Sequence, residues 1–117
     1  METETENVVT ERVESPIMDE PDDVLVECDF EVFGHVQGVS FTKYCKDIAL
    51  SNGIRGWVKN SKKGTIIGKM QGIKVEMDKM VHWLSKVGSP GCEIERCDFT
   101  NWETIYKYDY KDFQIRF

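Results

Sequence analysis

No stretch of this 117-residue chain approaches the roughly 20 consecutive apolar residues that a membrane-spanning helix needs, so no membrane role is expected. The first residues have no basic segment leading into an apolar core, so no secretory signal is expected either. Cys28, Cys45, Cys92 and Cys97 show no C-x-x-C spacing, and only His35 and His82 could join them as ligands. No metal site is expected from such a set. Reduced, partly buried thiols in a cytoplasmic protein are the simpler reading. Bases are scarce at one end. Residues 1–23 carry nine acids and a single base, Arg12, a net of −8, and the rest of the chain is at +2. The overall acidity therefore belongs to a tail. That tail, rich in Glu and Thr with Pro16 and Pro21 and no periodic apolar face, is expected to be disordered over 1–23, with one folded domain over 24–117. A net of +2 favours a small anionic ligand but lacks the concentrated basic face of a nucleic-acid binder.

Between those limits the periodicity is informative. Residues 24–33 alternate, with Val26, Cys28, Phe30 and Val32 on one face and Glu27, Asp29 and Glu31 on the other, which predicts a half-buried strand. From Phe41 the period lengthens: Phe41, Tyr44, Cys45, Ile48 and Ala49 mark an amphipathic helix that stops near Asn52-Gly53. A second strand over 54–60, a Ser61-Lys62-Lys63-Gly64 turn and a third strand over 65–71 come next. Met77, Met80, Val81, Leu84 and Val87 mark a second helix, halted by Gly88-Ser89-Pro90, with Trp83 and Leu84 read as core. Strands over 94–102 and 113–117 complete the chain. This βαββαβ order with a short fifth strand predicts an α+β, ferredoxin-like fold, a mostly antiparallel sheet with two helices on one face. Many unrelated functions share that fold.

Chemistry concentrates where the first strand meets the first helix. The segment Gly34-His35-Val36-Gln37-Gly38-Val39-Ser40-Phe41 is a glycine-bearing loop opening onto a helix N-terminus. Backbone N–H groups and the helix dipole there favour an anion, so these residues are candidate phosphate ligands, an ordinary strand-to-helix turn being the bland alternative. Gly34 and Gly38 allow backbone angles other residues avoid and let N–H groups approach an anion. Asn60 ends the second strand, as turn chemistry alone would also allow.

Several segments in order resemble the acylphosphatase family: the Gly34 to Phe41 loop, Gly56-Trp57-Val58-Lys59-Asn60, Gly64-Thr65, Trp83-Leu84-Ser85-Lys86-Val87-Gly88-Ser89-Pro90 and Asp112-Phe113-Gln114-Ile115. The resemblance implies hydrolysis of acyl phosphates to carboxylate and phosphate, without cofactor, metal or covalent intermediate. It implies that the loop cradles the phosphate and that Asn60 orients the attacking water. It also implies an arginine directly after Phe41, and this chain has Thr42 there. Arginine offers a permanently charged fork for two phosphate oxygens, and threonine offers one neutral hydroxyl. Lys43 lies about 100° further round the helix and is expected to point away. His35 sits inside the loop, and Lys62 and Lys63 lie in the next turn. The expectation is an acylphosphatase-like enzyme of impaired activity, with an acyl phosphate or inorganic phosphate as ligand and no nucleic-acid or membrane partner. A monomer is expected, with an acidic tail suited to a protein partner. The alternative is a catalytically inactive phosphate- or protein-binding module. An RNA-recognition module on the same fold lacks the aromatic pattern it needs on a central strand.

Overall fold

The computed structural model describes Pro21 and residues 23–117, so most of the expected tail lies outside the described residues. The chain forms β1 (Leu25–His35), α1 (Phe41–Ser51), β2 (Arg55–Asn60), β3 (Ile66–Ile73), α2 (Lys74–His82) with a π-helical extension (Trp83–Val87), β4 (Glu93–Thr104) and β5 (Phe113–Arg116). The sheet order is β4-β1-β3-β2-β5. Every pair is antiparallel except β2 with β5, which run parallel. This is the predicted α+β sandwich, with strand ends moved by one or two residues.

The alternation read from β1 is what buries it. Val26, Cys28 and Val32 are fully buried and Phe30 nearly so, while Glu27, Asp29 and Glu31 keep some exposure on the other face. Partners in β3 match this pattern, Cys28 facing Met70 and Val32 facing Ile66. Both helices cover that inner face and meet through Phe41 and Trp83, whose rings lie 5.2 Å apart. One core results, running from Val26 to Phe113.

Two helix expectations need correction. On α1 the buried stripe is Phe41, Cys45 and Ala49, one residue per turn; Ile48 is half-buried and Tyr44 exposed. The i+4 ridge is fully buried, Ile48 packs at its edge, and Tyr44 faces solvent. On α2 Val87 is exposed, because Trp83–Val87 is π-helical and Gly88 donates its N–H back to the Trp83 carbonyl at 2.9 Å. The extra residue in that turn shifts the face, so Trp83 and Leu84 stay inside while Val87 swings out. Among the described residues no helix is long and apolar enough to cross a membrane.

Candidate active site

The cradle begins where β1 leaves the sheet. The register with β4 slips between Phe33 and Gly34, so Gly34 faces Ile94 and Glu95 is left over. Such an extra residue bends the ribbon and re-aims the chain beyond it. Gly34 has φ 134°, and any Cβ there would run into the Glu93 carbonyl. Glycine is therefore required at this exit. Val36 is buried and anchors the loop, whereas Gly38 (φ 80°) stands in open space and is needed for its angle alone. Ser40 is the unexpected element. It caps α1 in the left-handed region (φ 60°, ψ 27°) without a side-chain cap bond. A non-glycine residue held there costs about 1–2 kcal/mol, and successive N–H groups in such turns form anion-binding nests.

The consequence is a run of free donors. Among the described residues, no N–H of residues 36–43 makes a close backbone bond, residues 37–40 forming only a loosely bonded turn, and the first helical bond is Tyr44 to the Ser40 carbonyl. The first N–H groups of any helix lack an intrahelical partner, and here the loop donors before Ser40 lengthen that ordinary set. The first turn of α1 holds no acid that would compete for it. Thr42 sits in this turn, half-buried beside the fully packed Phe41. Asn60 ends β2 on the same face as Val58, the side on which α1 lies, and its exposed amide makes no bond among the described residues.

Gln37 is engaged elsewhere. Its side-chain nitrogen donates to the carbonyls of Ser61 (2.9 Å) and Thr65 (2.8 Å), tying the cradle to the turn after Asn60. That turn is itself braced. Ser61 and Thr65 share a hydroxyl contact of 2.6 Å, and Thr65 donates to Glu31 at 2.7 Å. The Thr65 hydroxyl and the Lys63 ammonium hold the Glu31 carboxyl below its usual range. A lowered folded pKa means that this contribution is complete above the ordinary carboxylate range and is lost as pH falls through it to the lowered value. Urea midpoints should therefore fall on acidification, and Glu31→Gln should flatten that acid limb. Equal acid limbs in the two proteins would show that Glu31 does not brace the turn.

Sequence reasoning missed this brace, which joins side chains 24 to 34 positions apart. It also read residues 88–90 as a helix stop and part of the family resemblance, with no place assigned beside the loop. The Gly88-Ser89-Pro90-Gly91 stretch backs the cradle, with Gly88 against Phe41 and Gly91 opposite Val39.

Among the described residues, the cations nearest in sequence to the free donors are engaged elsewhere. Lys43 turns outward to Asp47 at 3.3 Å, and Lys63 turns to Glu31 at 3.3 Å. His35 lines a separate groove of about 340 Å³ together with Gly34, Ile94 and the carboxylates Glu93 and Glu95. Three of the four thiols offer no nucleophile either. Burial pushes Cys97 up to about 12 and Cys28 and Cys45 higher still, leaving essentially no thiolate at neutral pH.

The acylphosphatase family model matches residues 28–115. The chain belongs to the acylphosphatase family. It is 50% identical over 95 residues to acylphosphatase-2 of Mus musculus, covering 81% of this chain and 90% of that one. Identity to acylphosphatase-2 of Homo sapiens is also 50%, over 93 residues, covering 80% and 94%. Among solved structures, an acylphosphatase from Coxiella burnetii superposes with a TM-score of 0.69 at 30% identity, covering 80% of this chain and 94% of that chain. One from Bacillus subtilis gives 0.73 at 25% identity, covering 79% and 99%. Within this acylphosphatase-family chain, Thr42 occupies the position for which the resemblance implies arginine.

Proposed function

We propose that this protein binds acyl phosphates in the 34–41 cradle and hydrolyses them slowly to carboxylate and phosphate. The observation that carries this reading is the run of unpaired N–H donors at the start of α1, with no acid in its first turn and the cations nearest in sequence engaged elsewhere. In this reading the phosphoryl oxygens accept from those N–H groups and the Thr42 hydroxyl gives one further bond. The Asn60 carbonyl oxygen accepts from a water and aims its oxygen at phosphorus. An oxygen–phosphorus bond forms from the water, the bond between phosphorus and the acyl oxygen breaks, the carboxylate leaves with that electron pair, and the water's protons stay with the phosphate product. An amide suits the Asn60 role because it can accept and donate without titrating.

Thr42 sets the rate. Losing one preorganised donor to a developing charge typically costs about 10²–10³ in kcat, and charged arginines in phosphoryl transfer are worth roughly 10³–10⁵. With no other cation in the site, turnover belongs near the floor. The same lack of a cation favours, as the second reading, a module that binds phosphate or a protein without turnover. The unit that acts is residues 24–117, supported by the family match, and we place it in the cytoplasm, supported by its four free cysteines, and take it to act as a monomer.

Hydrolysis of a simple acyl phosphate should exceed the spontaneous rate by a small margin that Asn60→Ala removes. A margin unchanged by Asn60→Ala would remove the asparagine from the mechanism, and no margin at all would leave the binding module.

A further inference from the structure

The start of α1 lacks the negative complement that a helix ordinarily carries. Acids in a first turn offset the positive end of the dipole. In α1 there are none, and Ser40 makes no side-chain cap bond. The chain holds that charge in excess elsewhere. Residues 1–23 carry nine acids and one base, a net of −8, against +2 for residues 24–117. Opposite charges on one chain attract at long range, and an N–H run at a helix start receives a carboxylate as readily as a phosphate.

Geometry allows the encounter for some of these acids and forbids it for others. Val24 donates its N–H to the Pro21 carbonyl at 3.1 Å, a bond that closes a chain-reversing turn immediately before β1. The acidic segment thus joins the fold turned back on β1 rather than extending it. β1 has 11 residues, so the cradle at its far end lies about 33 Å from Leu25 at ~3.3 Å per residue. A fully extended chain spans at most ~3.6 Å per residue. Glu2, Glu4, Glu6 and Glu11 precede Leu25 by 14 residues or more and reach about 50 Å or further. Asp19, Glu20, Asp22 and Asp23 precede it by six or fewer, reach about 22 Å at most, and cannot arrive.

Thr42 keeps the competition close. Without a charged clamp, phosphate is held by neutral donors that a carboxylate also satisfies. A tethered group acts at an effective concentration on the order of millimolar. We propose that Glu2, Glu4, Glu6 and Glu11 occupy the 34–41 cradle in turn when it holds no phosphate, which makes the acidic segment a built-in competitor of substrate. The inference rests on the reading of this loop as an anion cradle and adds a regulator to it.

The test compares three full-length proteins by amide NMR during an inorganic phosphate titration at low ionic strength. They are wild type, a distal variant (Glu2→Gln, Glu4→Gln, Glu6→Gln, Glu11→Gln) and a proximal variant (Asp19→Asn, Glu20→Gln, Asp22→Asn, Asp23→Asn). Both variants lose the same charge, so a difference between them reports contact and not net charge. Before phosphate is added, the N–H signals of residues 36–43 should move in the distal variant and stay near their wild-type positions in the proximal one. The phosphate Kd of the distal variant should fall by about twofold or more, since a cradle half-occupied by the segment offers half its sites. Equal changes in both variants would assign the effect to charge repulsion and overturn the proposal. Unchanged amides and Kd in both would overturn it too, and in either case phosphate would still bind and the cradle reading would stand. Phosphate shifts absent from all three proteins would overturn the cradle reading itself, and this inference with it.

Discussion

Thr42→Arg is expected to raise acyl-phosphate hydrolysis by roughly 10² or more, the scale of one preorganised electrostatic contact. The position is ready for it. Thr42 lies in the first turn of α1, half-buried at the edge of the free N–H run, with Phe41 fixing the backbone beside it. Lys43 is turned to Asp47 and Lys63 to Glu31, so no resident cation competes for the space. Arginine has the better helix propensity, but a cation at a helix N-terminus opposes the dipole by about 0.3–1 kcal/mol. The variant should thus be slightly less stable than wild type without an anion and should regain the difference with phosphate. Adding Asn60→Ala to it should remove most of the gained rate, since substrate would be gripped with no oriented water. If wild type already turns over at a rate that arginine cannot improve, another group has taken over the role, and His35 is the first to substitute. If the arginine variant binds phosphate and stays inactive, the site has drifted beyond one substitution.

Phe41→Ala should have the largest effect on stability. Phe41 is 1% exposed, packs on Trp83 at 5.2 Å and opens α1, so its side chain holds helix, π turn and cradle together. Truncating a buried phenylalanine costs about 3–5 kcal/mol, out of roughly 5–15 for a whole domain. Urea unfolding should show that drop with little change in slope. Because the Phe41 N–H belongs to the cradle, phosphate affinity should fall as well, even where the variant remains folded. A loss below about 1 kcal/mol would mean that the space refills and that Phe41 does not set the loop.

Much of the fold was legible because β1 alternates cleanly and its acids all fall on one face, which admits only one side as core. The helices were legible in place but not in detail. Tyr44 fits the helical period yet stays outside, since the period names a face and not how wide the contact on it is. Val87 fits the same period and is exposed because a π turn changes the count after Trp83, a backbone event with no local residue signal. The parallel pairing of β5 with β2 depends on which edge the last strand reaches, which no spacing records. At the candidate site, the glycines and the helix start marked where the chain leaves β1 and where α1 begins. The Gln37 tie to Ser61 and Thr65 was invisible, because a glutamine in a loop carries no sign of which distant carbonyls it will meet. The left-handed Ser40 was equally hidden, as serine is a common cap and seldom adopts that angle.

The loop proposed as a phosphate cradle should hold the anion through its backbone even without a charged clamp. Amide NMR of the wild-type protein during an inorganic phosphate titration decides this, with chloride at matched ionic strength as the control. Saturable shifts at millimolar phosphate, centred on the N–H groups of residues 36–43 and absent with chloride, are the predicted result. Unmoved amides across that run, or equal movement with chloride, would contradict it and leave the loop as a strand-to-helix turn.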